Sequence, residues 1–237
     1  MKVASIFLNG YYNFDQIQFY RSEIESALKQ DTPLICADGG IHIFQMCGLQ
    51  PTILIGDLDS ISDFTTPTIN ELKQSGVNVI SEWIGQTDKD YTDGQLAVIY
   101  ALKKLKCNYI IIYGGFPTSF DVDHFLGNLK LMRLGFHISI IPSSFRAEMR
   151  DVFQAIYFVS SQLEINRKSE KSQYISLIAE HRNVHVKSST GLRWDVSNMW
   201  IDPDQPKTLR NEFISDANKV MIELAEGSAP VYVIHNW

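Results

Sequence analysis

Apolar residues in the first 141 positions follow two alternating patterns, short continuous runs and longer stretches at helical spacing. Residues 2–8 (KVASIFL) make the first run, which ends at Asn9-Gly10. Residues 15–29 follow, with Ile17, Phe19, Ile24 and Leu28 at roughly helical intervals among Glu, Arg and Lys, and Asp31-Thr32-Pro33 closes the stretch. Residues 34–37 read as a second strand, 41–47 as a short helix stopped by Gly48, and Ile53-Leu54-Ile55-Gly56 as a third strand. The alternation continues with a helix over 64–75 stopped by Gly76, a strand at 77–80, a helix from Thr92 to about Lys106 and a strand at 108–113. A helix over 123–134 and a strand at 137–141 complete it. Thr92, with Gln95 three residues on, has the form of a capping box. Strand and helix in strict alternation predict an α/β fold, a mostly parallel sheet with helices on both faces.

After Pro142-Ser143-Ser144 the pattern changes. Apart from a helical turn at 146–151, the remainder is β-rich, in segments at 152–159, 173–179, 183–188, 191–196, 218–224 and 229–235 with turn residues between them. This predicts a C-terminal antiparallel β-sandwich. The expected domains are 1–143, α/β, and 144–237, β-sandwich.

Composition narrows the class. Of 237 residues 45% are hydrophobic and 20% charged, the proportions of an ordinary soluble globular protein. The net charge is −6 with no basic block, which argues against nucleic acid or an anionic membrane as partner. Cys36, Cys47 and Cys107 are odd in number, widely spaced and without a C-x-x-C pair, so neither a disulfide framework nor a zinc site is expected. The run Val3 to Leu8 is too short for a signal-peptide core, and no apolar run is long enough to span a bilayer. A cytoplasmic protein in a reducing compartment is the expectation.

The candidate chemistry lies at strand ends. Four acidic clusters fall there: Asp38, the pair Asp57/Asp59, the group Asp88/Asp90/Asp93, and Asp121/Asp123. Parallel strands bring such ends to one sheet edge, where open α/β folds bind ligands. Two carboxylates one residue apart repel unless a cation lies between them, and a hard cation with oxygen ligands, Mg²⁺ carrying a phosphate, suits that position. A single Asp-x-Asp is more often a cap or turn; four clusters on one edge favour metal. Asp38-Gly39-Gly40 reads equally well as a strand-to-helix turn or as a place where a nucleotide approaches the backbone. Thr92 reads as a cap, which is compatible with presenting a helix start to phosphate. His124 gains interest only from its neighbour Asp123, while His181 and His185 read as surface residues. Trp194 is either core or an exposed stacking platform. No P-loop, nucleophile elbow or dinucleotide fingerprint is present.

Taken together and in order, Ala37-Asp38-Gly39-Gly40, Gly56-Asp57-Leu58-Asp59-Ser60, Asp88 through Asp93, Asp123-His124 with Asn128, Thr190-Gly191-Leu192-Arg193-Trp194 and Asn211-Glu212 resemble the thiamine pyrophosphokinase family. The resemblance implies an α/β N-terminal domain, a β-sandwich C-terminal domain and a homodimer. It implies Mg²⁺-dependent transfer of pyrophosphate from ATP to thiamine, giving thiamine diphosphate and AMP. By position it makes Asp57, Asp59 and Asp93 the metal- and phosphate-handling carboxylates, with Asp123 a further catalytic residue. Asp38, Gly39, Asp90, Thr92 and His124 fall on the nucleotide side, and Trp194 and Asn211 on thiamine. The chain departs from the family at two places: Asp121 stands where the family has an arginine, and Arg210 where it has a serine before Asn-Glu. A relative that binds thiamine or nucleotide without turnover is the alternative. A metal-dependent Asp-x-Asp glycosyltransferase would explain Asp57 and Asp59, but neither Thr92-Asp93 nor the second domain.

Overall fold

The computed structural model describes residues 1–56, 68–80, 91–118 and 120–237. The chain divides into two compact units, Met1–Ser139 with Met149–Val152, and Ile140–Glu148 with Phe153–Trp237. Asp57, Asp59, Asp88 and Asp90 lie outside the described residues.

In the first unit strands and helices alternate as β1 (Val3–Phe7), α1 (Ile17–Lys29), β2 (Leu34–Ala37), α2 (Ile41–Cys47), β3 (Ile53–Ile55), α3 (Ile69–Gln74), β4 (Asn78–Ile80), α4 (Asp93–Ile99), β5 (Tyr109–Tyr113) and α5 (Val122–Ile138). A π-helical turn, Tyr100–Lys104, prolongs α4. The five strands are parallel in the order β5-β1-β2-β3-β4, with Phe7 opposite both Cys36 and Tyr113 and Ala37 opposite Ile55.

Alternate residues point to opposite faces of a strand. On one face Phe7, Leu34, Cys36, Leu54 and Tyr113 share a core with Tyr20 and Ile24 of α1, Phe44 of α2 and Leu72 of α3. The rings of Phe7 and Tyr113 stack at 4.7 Å. On the other face Ile6, Ile35 and Ile112 are equally buried, and α4 crosses β1, β2 and β3 with α5 beside it. Burial on both faces is why these strands read as unbroken apolar runs. Each fully buried large side chain contributes about 1.5–3 kcal/mol of transfer free energy. α2 stops at Gly48 in the left-handed conformation, as its position predicts.

Two sequence expectations need correcting here. α5 does not end at residue 134: it continues to Ile138, and the expected strand at 137–141 is absent. Gly135 keeps a helical backbone and is buried with Leu131 and Met132, so the apolar spacing simply carries on for another turn. Residues 146–151, read as a helical turn, instead contain strand β6 (Arg146–Arg150), and the division between the units falls inside it. Ala147, Glu148 and Met149 are buried in succession, so the strand shows no alternation that a sequence pattern could reveal.

The second unit contains β7 (Gln154–Val159), β8 (Gln162–Asn166), β9 (Tyr174–Ile178), β10 (Val184–Thr190), β11 (Met199–Ile201), β12 (Asn211–Glu212), β13 (Lys219–Leu224) and β14 (Val231–Asn236). They pair antiparallel in two sets, β12-β9-β14-β7 and β11-β10-β13-β8. Ile175, Leu177, Val231 and Val233 of the first set share one core with Val184, Val186, Val220 and Ile222 of the second, which is face-to-face sandwich packing. β8, β11 and β12 are strands that the sequence pattern did not reveal. The expected strand at 191–196 is a turn instead, joined to Phe213 by an isolated bridge at Leu192.

All three cysteines are free and buried. Among the described residues no helix is long and apolar enough to cross a membrane.

Candidate active site

From β1 the sheet grows one way through β2, β3 and β4, and the chain then returns through α4 to lay β5 on the other side of β1. β1 and β5 therefore flank the point where the winding reverses, and the crevice outside their carboxyl ends is the place where such sheets bind ligands. The backbones there approach closely. A Cβ on Gly10, just past β1, would lie 1.9 Å from the carbonyl oxygen of Gly114, just past β5. One on Gly40, past β2, would lie 2.2 Å from the carbonyl oxygen of Phe7. Only glycine fits either contact.

A cavity of about 620 Å³ opens at this edge. Asn9, Gly10 and Ala37 line it from the strand ends, Thr92 and Asp93 from the start of α4, and Asp121, Asp123, His124 and Lys130 from α5. Thr92 closes the capping box expected of it: its Oγ1 accepts the Gln95 N–H at 3.3 Å and the Gln95 side chain accepts the Thr92 N–H at 2.8 Å. Asp123 and His124 are well exposed and pair at 3.5 Å. Thr118 donates its hydroxyl to Asp121, and the Asn128 amide donates to the Gly115 carbonyl at 3.1 Å, tying α5 to the loop after β5.

Asp38 lies at the end of β2 with φ +44, a left-handed conformation that costs a non-glycine residue about 1 kcal/mol or more. Its side chain is buried, and Oδ1 has no hydrogen-bond partner among the described residues. Gly56, the residue before Asp57, abuts it: a Cβ there would be 3.0 Å from the Asp38 Cα. Gly39 lies against the Asn9 side chain, which lines the cavity. Burial pushes the neighbouring Cys36 thiol well up, with Asp38 adding to the shift, so Cys36 is a neutral core residue rather than a nucleophile.

Among the described residues no group of three or more His, Cys, Asp or Glu could hold a metal ion. The buried Asp38 Oδ1, without a partner among the described residues, and the carboxylates of Asp93 and Asp123 at the same sheet edge are nonetheless hard oxygen donors of the kind that Mg²⁺ takes.

The second unit brings Trp194 and Asn211 together. The Asn211 side chain accepts the Trp194 N–H at 3.1 Å and donates to the Trp194 carbonyl at 2.7 Å. Trp194 is 54% exposed, which decides the sequence alternatives against a core role. His181 is exposed and pairs with Glu180 at 3.4 Å, while His185 stacks on Trp200 at 4.4 Å.

Residues 24–141 match the family model described as thiamin pyrophosphokinase, catalytic domain. The chain belongs to the thiamine pyrophosphokinase family. The thiamine pyrophosphokinase of Bacillus subtilis (strain 168) is 28% identical over 186 residues, 78% of this chain and 80% of that protein. The crystal structure of thiamine pyrophosphokinase from Bacillus subtilis superposes with a TM-score of 0.72 at 24% identity over 99% of both chains. That of yeast thiamin pyrophosphokinase gives 0.69 at 16% identity, over 100% of this chain and 86% of the other. At such identities the two structures speak for the fold alone.

The family match contains Asp38, Asp93, Asp123 and the helices around the cavity, whereas Trp194 and Asn211 lie beyond it. Of the residues expected from the thiamine pyrophosphokinase resemblance, Thr92, Asp93, Asp123 and His124 meet in one cavity, with Asp38 and Gly39 at the same sheet edge. Asn9, Gly10 and Phe116 also line it without having been singled out. Their one sequence signal is position, directly after the runs that become β1 and β5.

Proposed function

We propose that the chain transfers the pyrophosphoryl group of ATP to the hydroxyethyl oxygen of thiamine, releasing AMP and thiamine diphosphate. The observation that supports it most is the cavity at the winding reversal, whose carboxylates Asp93, Asp121 and Asp123 all fall in the stretch matching the thiamin pyrophosphokinase catalytic domain. In this reading the thiamine hydroxyl attacks the β-phosphorus of ATP. A new O–P bond forms, the bond between the β-phosphorus and the α,β-bridging oxygen breaks, and AMP leaves with that oxygen. The hydroxyl proton passes to a carboxylate, Asp93 or Asp59.

Asp57, Asp59 and Asp93 are proposed to hold Mg²⁺, which when bound supplies charge neutralisation for the polyphosphate. Asp123 completes the catalytic carboxylates. Asp38, Gly39, Asp90, Thr92 and His124 are proposed to serve the nucleotide, and Trp194 and Asn211 to serve thiamine, with Trp194 stacking on a flat heteroaromatic ring. A cytoplasmic homodimer is part of the same proposal. The experiment follows AMP and thiamine diphosphate from thiamine, ATP and Mg²⁺. Chelation is expected to stop turnover and added Mg²⁺ to restore it; turnover unaffected by chelation contradicts the metal assignment.

A second reading, binding without turnover, draws on Asp121, which places a third carboxylate in the cavity where the family has an arginine. Lys130 lines the same cavity and offers a cation to a phosphate. Calorimetric binding of both substrates with no product over hours would favour this reading.

A further inference from the structure

Trp194 combines an open ring with a closed backbone. Its indole is largely exposed, and the Arg193 guanidinium lies over it, 4.9 Å from the ring centroid. Its main chain is held on both sides by one side chain. Asn211, only 5% exposed, accepts the Trp194 N–H at 3.1 Å and the Glu212 N–H at 2.9 Å through Oδ1, and donates from Nδ2 to the Trp194 carbonyl at 2.7 Å. Both lone pairs of Oδ1 and one of two amide hydrogens are thereby used.

Neighbouring bonds fasten the same turn. The Arg193 N–H donates to the Glu212 carbonyl and its guanidinium to the Glu212 carboxylate, each at 2.8 Å, and the Ile214 N–H donates to the Gly191 carbonyl at 2.9 Å. Asp195 accepts the hydroxyls of Ser189 and Ser197 at 2.6 Å each and the Ser197 N–H at 2.9 Å. These bonds, the Ser189 hydroxyl first, hold its carboxyl down at about 2, so the clamp stays ionised at any working pH. An exposed ring gains nothing for the fold from so much polar fixing. A ring that must meet a ligand in one orientation does gain, because less freedom is lost on binding.

We infer that Asn211 is a positioning residue: it sets the Trp194 indole as a preorganised stacking platform for thiamine without touching the ligand itself. The inference rests on the reading of Trp194 as the thiamine platform. It reassigns Asn211 from contacting substrate to acting through Trp194.

A double-mutant cycle in the full-length chain tests it, with kinetics for thiamine and ATP measured separately. Loss of a stacking partner is expected to raise the thiamine KM of Trp194→Ala by about 5–100-fold. Asn211→Asp keeps the acceptor but sets a carboxylate against the Trp194 carbonyl, and is expected to raise the thiamine KM by about tenfold. It should leave the ATP KM unchanged. In the Trp194→Ala background it should add less than about twofold, because a residue acting only through Trp194 has nothing left to position. A full additional tenfold there would mean that Asn211 contacts substrate, and would overturn the inference. An impaired Trp194→Ala beside an unchanged Asn211→Asp overturns the positioning role alone. An unchanged Trp194→Ala removes the platform reading and this inference with it. Should the Asn211 variant fail to fold, Asn211→Ser replaces it in the cycle. Hydrogen exchange on the unmutated, ligand-free protein decides independently of either variant: the Trp194 main-chain N–H should be protected although its ring is exposed, and free exchange at that amide overturns the inference.

Discussion

Asp93 carries the sharpest residue-level expectation. It lines the cavity at the first position of α4, and in the proposed reaction it holds metal or takes the hydroxyl proton. Asp93→Asn keeps the shape and removes the charge, so kcat should fall by about 10²–10⁴ while the thermal midpoint stays within a few degrees. Retained turnover would remove Asp93 from the chemistry. His235 offers a different test. It is fully buried with Nε2 against the Gln173 side-chain oxygen at 2.8 Å, and burial, then Lys168, lowers its pKa from 6.5 to about 4. Between those values the unfolded chain binds the proton and the folded chain does not. Stability should therefore be full above about pH 6.5 and decline as pH falls toward 4, by up to about 3 kcal/mol. Denaturant unfolding at several pH values would measure this, and His235→Asn should flatten the slope. Of the acidic residues, Asp93, Asp121 and Asp123 line one cavity, a convergence legible because parallel strands bring their ends to one edge, whereas Asp57, Asp59, Asp88 and Asp90 lie outside the described residues. The bonds from Asn211 to Trp194 were not, since they join residues seventeen apart in sequence that only the sandwich brings together.

At the scale of elements, two capping boxes of the same design begin α3 and α4. Thr68 and Glu71 close one, Thr92 and Gln95 the other. Removing either threonine hydroxyl should cost about 1 kcal/mol of stability. Only Thr92 lines the cavity, so Thr92→Ala should also raise the ATP KM, whereas Thr68→Ala should lower the melting temperature with kinetics unchanged. Equal kinetic effects in both would show that capping alone, not the site, is being read. The Thr92 box was legible from its spacing. The overrun of α5 was not, because the apolar run at 137–141 reads locally as a strand, whereas Gly135, buried with Leu131 and Met132, keeps the helix going to Ile138. β6 was hidden for a related reason: Arg, Ala, Glu and Met favour helix locally, and burial in the assembled fold overrides that preference.

For the whole molecule, strand-helix alternation followed by β-rich segments gave the fold class, because each half repeats one grammar long enough to be read. Two-residue β12 and three-residue β11 are too short to carry a pattern, though β12 supplies Asn211. The proposed homodimer predicts a light-scattering mass of twice the chain's, and a single-chain mass at assay concentration would contradict it. The central claim is the reaction itself, and the most direct test is a single assay of purified protein with thiamine, ATP and Mg²⁺. The account predicts AMP and thiamine diphosphate appearing in equal amounts. AMP or ADP without thiamine diphosphate, or no turnover when both substrates bind, would contradict it.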